Sequence, residues 1–239
     1  MPRGVTLRTH VVLIPGLLAL AALLAHGSGV DQAVTGWFFD PATAGFPARR
    51  SALLELLGHR LPNALVVALF AVLAGMGILA TWWQPLQRYA RLLLTTAAAL
   101  AAGPMLVVVL KSVTTPRCPW SLVQYGGLEQ ARPFWFTSPA DAGSCFPGGH
   151  AAGGFALVAI YFAGMVTGNR RLEWSGLILV LLAGTGFSLV RIAQGAHFVS
   201  HNLWSAASCW ALAALVFRQS SAAAGGAVPQ VGGAAVGAG

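Results

Sequence analysis

The chain has 239 residues, of which 56% are hydrophobic and 8% charged, against roughly 25% charged in an ordinary soluble domain. That composition excludes a water-soluble globule and points to a protein of the membrane. The net charge of +8 does not indicate nucleic acid, because the basic residues stand singly or in pairs between apolar runs; it fits the bias of Lys and Arg toward cytoplasmic loops, with a few cations kept for an anionic ligand.

A membrane-crossing helix needs about 20 mostly apolar residues. Six stretches meet or approach that length, near residues 10–25, 61–82, 90–110, 151–167, 174–192 and 202–217. The predicted fold is therefore all-α, an integral membrane protein of about six transmembrane helices forming a single membrane domain over residues 1–219. The first stretch also reads as a cleavable secretory signal, since Arg3 and Arg8 precede it and it ends in Ala25-His26-Gly27-Ser28. Retaining it gives an even helix count, with both termini on one side.

With the N-terminus inside, the cytoplasm receives Arg3, Arg8, Arg88, Arg91, Arg170, Arg171 and Arg218, and the outer face an equal number: Arg49, Arg50, Arg60, Lys111, Arg117, Arg132 and Arg191. Setting Lys111, Arg117 and Arg191 aside as site candidates breaks the tie in favour of cytoplasmic termini. The expected location is a bacterial-type inner membrane, with the site facing the periplasm.

Two outer loops are long. The first, from about Gly27 to Arg60, holds Trp37, Phe38, Phe39 and the stretch Ala52-Leu53-Leu54-Glu55-Leu56-Leu57, which suits either a short surface helix or a packed loop. The second, from Lys111 to His150, is rich in Pro, Gly and Ser, the signature of a functional loop. It contains Cys118 and Cys145, which could close it with a disulfide or remain free thiols. Residues 220–239 are almost all Ala, Gly, Val and Ser and are expected to be a disordered tail.

Ionisable residues at membrane-helix ends are costly and mark a cavity. Lys111 ends the third helix, His150 begins the fourth, Arg191 ends the fifth, His197 follows it and His201 begins the sixth, all at the same membrane face. Lys and Arg suit a phosphate, and histidines suit proton transfer or nucleophilic attack. Each has an ordinary alternative: Lys111 could snorkel, and a lone histidine at a helix start is often structural. Arg191 lies in the apolar run Gly186-Phe187-Ser188-Leu189-Val190 and requires an anion.

These residues resemble the type 2 phosphatidic acid phosphatase family of membrane phosphatases, related in fold to vanadium haloperoxidases, whose motifs read K-x6-R-P, then P-S-G-H, then S-R-x5-H-x3-D. Lys111 opens the first motif, Pro147, Gly149 and His150 carry the second, and Arg191 and His197 carry the third with the family's spacing. The similarity covers about the C-terminal half. The chain departs from the pattern at Cys118, where the family has arginine and Arg117 stands one residue early; at Gly148 and Val190, in place of serines; and at His201, in place of the aspartate.

The resemblance implies a lipid phosphatase in which His197 attacks phosphorus, His150 serves as acid and then base, and Lys111, Arg191 and Arg117 neutralise the phosphate oxygens, with Gly148 and Gly149 offering backbone donors. It implies no cofactor, and as partners a lipid phosphate substrate and the membrane, not nucleic acid. His201 could accept a hydrogen bond from His197 without supplying negative charge, or Asp141 could reach in. Transfer to another lipid, a degenerate inactive protein, and a metal held by His150, His197 and His201 stay open. The metal is disfavoured by the cations beside it.

Overall fold

The computed structural model describes residues 6–56 and 60–225. A π-helical segment, Leu7–Leu13, leads into helix α1, Ile14–Gly27. Gly29, at φ 81°, turns the chain into α2, Val30–Gly36. A 3-10 turn, Pro47–Arg50, precedes the single-turn α3, Ala52–Glu55, which Ser51 caps by accepting from the Leu54 N–H. The long helices follow: α4, Leu61–Trp82; α5, Gln84–Val113; α6, Gly149–Ala156; α7, Val158–Thr167; α8, Arg170–Ala193; and α9, Val199–Gly225.

The expected second span and α4 share their bounds, but the third begins six residues earlier than the Ala90 expected, at Gln84. Trp83 alone is extended between α4 and α5, and Pro85 sits in the first turn of α5, where its missing N–H costs nothing. The fourth expected span is two helices, because the chain tightens at Leu157, whose N–H reaches back to the Gly154 carbonyl at 3.3 Å. The sixth runs past Phe217 to Gly225. Arg91 of α5 donates to the Ser220 carbonyl at 2.6 Å, holding the extension in place. Residues 220–225, assigned above to a disordered tail, are thus the last turns of α9; 226–239 lie outside the described residues.

Among the described residues five helical stretches are long and apolar enough to cross a membrane: Arg8–Gly27, Asn63–Trp82, Gln84–Val113, Gly149–Thr167 and Arg170–Ala193. α9 is more polar, with Ser200, His201, Asn202, Ser205 and Ser208 in its first half, and it can be so because it packs against α1, α5 and α6 instead of lying open to lipid. Phe162, Phe217, Leu100, Val158 and Val180 form the centre where α5, α7, α8 and α9 meet. Leucines such as Leu17, Leu20, Leu65, Leu79 and Leu182 point outward and form an apolar belt of the kind that lipid tails cover.

At the end of the bundle where α5 finishes and α9 starts, the first loop is packed. Phe46 sits against Phe39, Tyr125, Leu122 and Phe198, joining it to the second loop and to the α8–α9 turn. Of the stretch Ala52 to Leu57, the turn α3 covers residues 52–55 and Leu56 continues it as π-helix, while Leu57 lies outside the described residues. In the second loop Cys118 and Cys145 are disulfide-bonded, with Cα atoms 5.2 Å apart. Thr114 donates to the Phe146 carbonyl at 2.9 Å, and the Trp120 N–H donates to the Gly195 carbonyl at 2.9 Å. The loop is therefore fastened both to the end of α5 and to the turn before α9.

α6 meets α8 backbone to backbone at Gly154, where a Cβ would stand 2.8 Å from the main chain of Ala183 and Gly184, whereas one on Gly153 would meet nothing within 4 Å. Gly154→Ala is expected to destabilise the protein by about 1–3 kcal/mol through overpacking. Gly153→Ala should instead be neutral or gain about 0.5–1 kcal/mol of helix propensity. Thermal unfolding in detergent reads the difference, and equal effects would contradict this packing.

Candidate active site

Four chain segments end at the same place. α5 delivers Lys111, the head of α6 delivers Gly148, Gly149 and His150, the last turn of α8 delivers Arg191, and the turn into α9 delivers His197. The head of α6 is clamped to α9: the Gly148 N–H donates to the His201 carbonyl at 3.1 Å, and Ser205 Oγ donates to the carbonyls of Gly148 and His201 at 2.9 and 3.0 Å. A Cβ on Gly149 would lie 3.6 Å from Lys111 Nζ, so the ammonium stands directly over the start of α6.

Arg191 is 9% exposed. Its Nη1 donates to Gln194 Oε1 at 2.8 Å, but its Nε has no hydrogen-bond partner among the described residues. The guanidinium carbon also lies 5.6 Å from the centre of the Trp120 ring, and Arg49 lies over the same ring at 4.3 Å. Glu55 attracts Arg191, and Arg49 repels it. A buried guanidinium with a free donor, near a second and a third cation, is an anion site by electrostatics alone.

His197 is 2% exposed, and its environment keeps it uncharged. Burial is the main cause, and the charges of Lys111, His201, Arg191 and His150 add to it, holding the imidazole pKa well below its ordinary value. The same four neighbours show that the structure brings Lys111, His150, Arg191, His197 and His201 into one electrostatic neighbourhood. A neutral imidazole surrounded by cations can attack an electrophile and can accept an anionic group as it does so.

Other expected residues stand elsewhere. Arg117 pairs with Glu129, Nε to Oε2 at 3.4 Å, and its Nη1 donates to the Ala142 carbonyl at 3.3 Å; it is not among the charges that act on His197. Asp141 accepts from Ser138 Oγ at 2.9 Å on the exposed loop and does not reach His197. Gly148 has already spent its N–H on His201, so Gly149 is the better placed of the two glycines. A Cβ at position 148 would overlap Asn202 Oδ1, so a serine there fits only if Asn202 gives way.

His201 does not bond to His197. The ring centroids are 6.0 Å apart, His201 packs edge-on against Phe146 and Phe198 at 5.3 Å each, and its Nδ1 has no hydrogen-bond partner among the described residues. His197 Nδ1 instead faces Cys145 Sγ at 3.6 Å. The side chains of Cys145, His197 and His201 have metal-ligand spacing, within 4.8 Å of one another, but His150 is not of that group and the disulfide removes the Cys145 thiolate.

A cavity of about 490 Å³ lies on the other side of His201, walled by Leu110, Phe134, Phe136, Phe146, Phe198 and Trp204, with Arg117, Arg132 and His26 also on its lining. Sequence reasoning missed three residues here, Asp31, Arg49 and Glu55, all from the first loop. Asp31 is 1% exposed and accepts from the Ser200 N–H at 2.9 Å and from Ser200 Oγ, capping α9 one residue before His201. Its one sequence signal was an acid just beyond an apolar span.

A family model described as the PAP2 superfamily matches residues 89–224. A protein of Francisella tularensis subsp. novicida (strain U112) named lipid A 4'-phosphatase is 30% identical over 139 residues, which is 55% of this chain and 61% of that protein's length. No solved structure matches. The matched region contains the ends of α5, α6 and α8 and the start of α9, and with them every group gathered around His197, so the chain belongs to the PAP2 superfamily.

Proposed function

We propose that the chain is a membrane phosphatase that hydrolyses a lipid phosphate or diphosphate at the outer face of a bacterial inner membrane, through a phosphohistidine on His197. The observation that carries this reading is the neutral, buried His197 surrounded by Lys111, Arg191 and His150, beside an Arg191 Nε that lacks a partner. The relative named lipid A 4'-phosphatase and the family membership support phosphorylated lipid as the substrate class.

In this mechanism His197 attacks phosphorus as the P–O bond to the lipid breaks, and His150 gives a proton to the leaving alkoxide. His150 then takes a proton from water as the water displaces His197. Lys111 and Arg191 balance the charge on the equatorial oxygens, and the Gly149 N–H at the head of α6 adds a backbone donor. The apolar cavity beyond His201 suits the lipid's chains, with the headgroup at the polar end of the bundle. The scheme requires no metal. Phosphate transfer to a second lipid would use the same phosphohistidine, and the products separate it from hydrolysis.

Purified protein is expected to release phosphate from phosphatidic acid, a polyprenyl diphosphate or lipid A in the presence of EDTA. His197→Ala should reduce kcat by roughly 10⁴-fold or more, and Lys111→Ala by about 10²–10³-fold, as for the loss of one transition-state charge. Activity abolished by chelation would favour a metal held by His197 and His201. No release from any of these lipids would leave an inactive member of the superfamily.

The pH dependence has a definite sign. The fold holds His197 neutral, so the nucleophile is fully available above an ordinary imidazole pKa of about 6.5 and is lost only as pH falls through the lower folded value. The stability contribution has the same direction, undiminished above pH of about 6.5 and declining below it as the unfolded chain takes up the proton. Lys111→Met, by removing a repelling charge, should move the acidic limb of kcat/KM toward higher pH, measured against wild type in the same detergent. A shift toward lower pH would contradict this electrostatic picture.

A further inference from the structure

We propose that the sulfur of Cys145 is the positioning group for the His197 imidazole, taking the place that His201 fills in sequence but not in contact. The inference rests on the reading of His197 as nucleophile. Three observations carry it. His197 Nδ1 lies 3.6 Å from Cys145 Sγ. The same sulfur touches the Ala196 carbonyl oxygen at 3.0 Å, so it is wedged into the turn that presents His197. Cys145 and Ala196 are fully buried and His197 nearly so, which leaves no space for bulk water to orient the ring instead.

The chemistry of the sulfur decides the tautomer. Cys145 is bonded to Cys118 and carries no proton, so toward His197 it can only accept. The ring nitrogen facing it must therefore be the one that bears hydrogen. With Nδ1 protonated and the ring neutral, the lone pair lies on Nε2, which is the form a nucleophilic imidazole needs. A carboxylate in that role would also stabilise the imidazolium; sulfur fixes the tautomer without adding charge. The groups facing His197 are otherwise Lys111, His150, Arg191 and His201, none of which is an anion. Cys145 is also five residues before His150, so one short segment carries both the proposed acid and the group that orients the nucleophile.

A separate role, stapling the loop, predicts the same outcome for loss of either cysteine. Positioning does not. In Cys118→Ala the Cys145 thiol can donate to Ala196 and still accept from Nδ1. In Cys145→Ala nothing can, and in Cys145→Ser a hydroxyl partly restores the contact. The experiment uses the full chain labelled with ¹⁵N-histidine, comparing ring-nitrogen shifts with kcat and KM on phosphatidic acid. Wild type and Cys118→Ala should show His197 protonated at Nδ1. Cys145→Ala should show mixed tautomers and lose roughly 10- to 10³-fold in kcat, less than the 10⁴ seen when a charged orienting group is removed, with KM held within about twofold. Cys145→Ser should recover part of both.

Equal losses in Cys118→Ala and Cys145→Ala with an unchanged Nδ1–H signal would overturn the proposal in favour of a staple. So would a wild-type ring protonated at Nε2. If Cys145→Ala fails to fold, the wild-type, Cys118→Ala and Cys145→Ser spectra still decide the tautomer. If wild type shows the expected tautomer but releases no phosphate from any lipid, the catalytic reading fails and the positioning contact stands.

Discussion

The end of the bundle that gathers these groups depends on the clamp between the head of α6 and the start of α9, where Gly148, His201 and Ser205 share three hydrogen bonds. Those bonds satisfy helix-end groups that lipid could not, and they do so in a region too buried for water to replace them. Once the two helix ends are fixed to each other, His150 and His197 have a set relation, and the ends of α5 and α8 need only supply cations. Gly148 is small because Asn202 lies against it, so the missing serine is a consequence of how closely the helices approach.

That arrangement places positive charge where charge is costly. Lys111 and Arg191 sit at the ends of apolar helices, and the acids nearby are few: Glu55 acts on Arg191, while Asp31 is occupied in capping α9. Cations kept unbalanced in this way favour an anionic ligand, which would relieve their mutual repulsion. The neutrality of His197 follows first from its burial and then from the same field.

Much of the helical framework was legible in the sequence, because length and apolar composition are local properties. The span 61–82 could be read directly, and the residues at the ends of α5, α6 and α8 stood out as charges that apolar runs do not tolerate. Boundaries were less legible where the decisive contact is remote: α9 continues through Ser220 because of Arg91, which lies 129 residues away. In the site, motif spacing identified Lys111, His150, Arg191 and His197 but could not tell which way a loop residue faces. Arg117 and Asp141 were reasonable by type and are engaged elsewhere. Asp31, Arg49 and Glu55 reach the same end of the bundle from a loop that the sequence shows only as distant. The failure of His201 to meet His197 is likewise a matter of a few ångströms and two phenylalanine rings.

Trp120 gives the cationic end an unusual character. Arg49 and Arg191 both lie over its indole, and the loop that carries it is held to the α8–α9 turn through Gly195. One uncharged ring thus acts as a shared counter-surface for two guanidinium groups that would otherwise need carboxylates. Carboxylates would also have cancelled the attraction for an anion; a quadrupole holds the cations in place while leaving their long-range field almost intact.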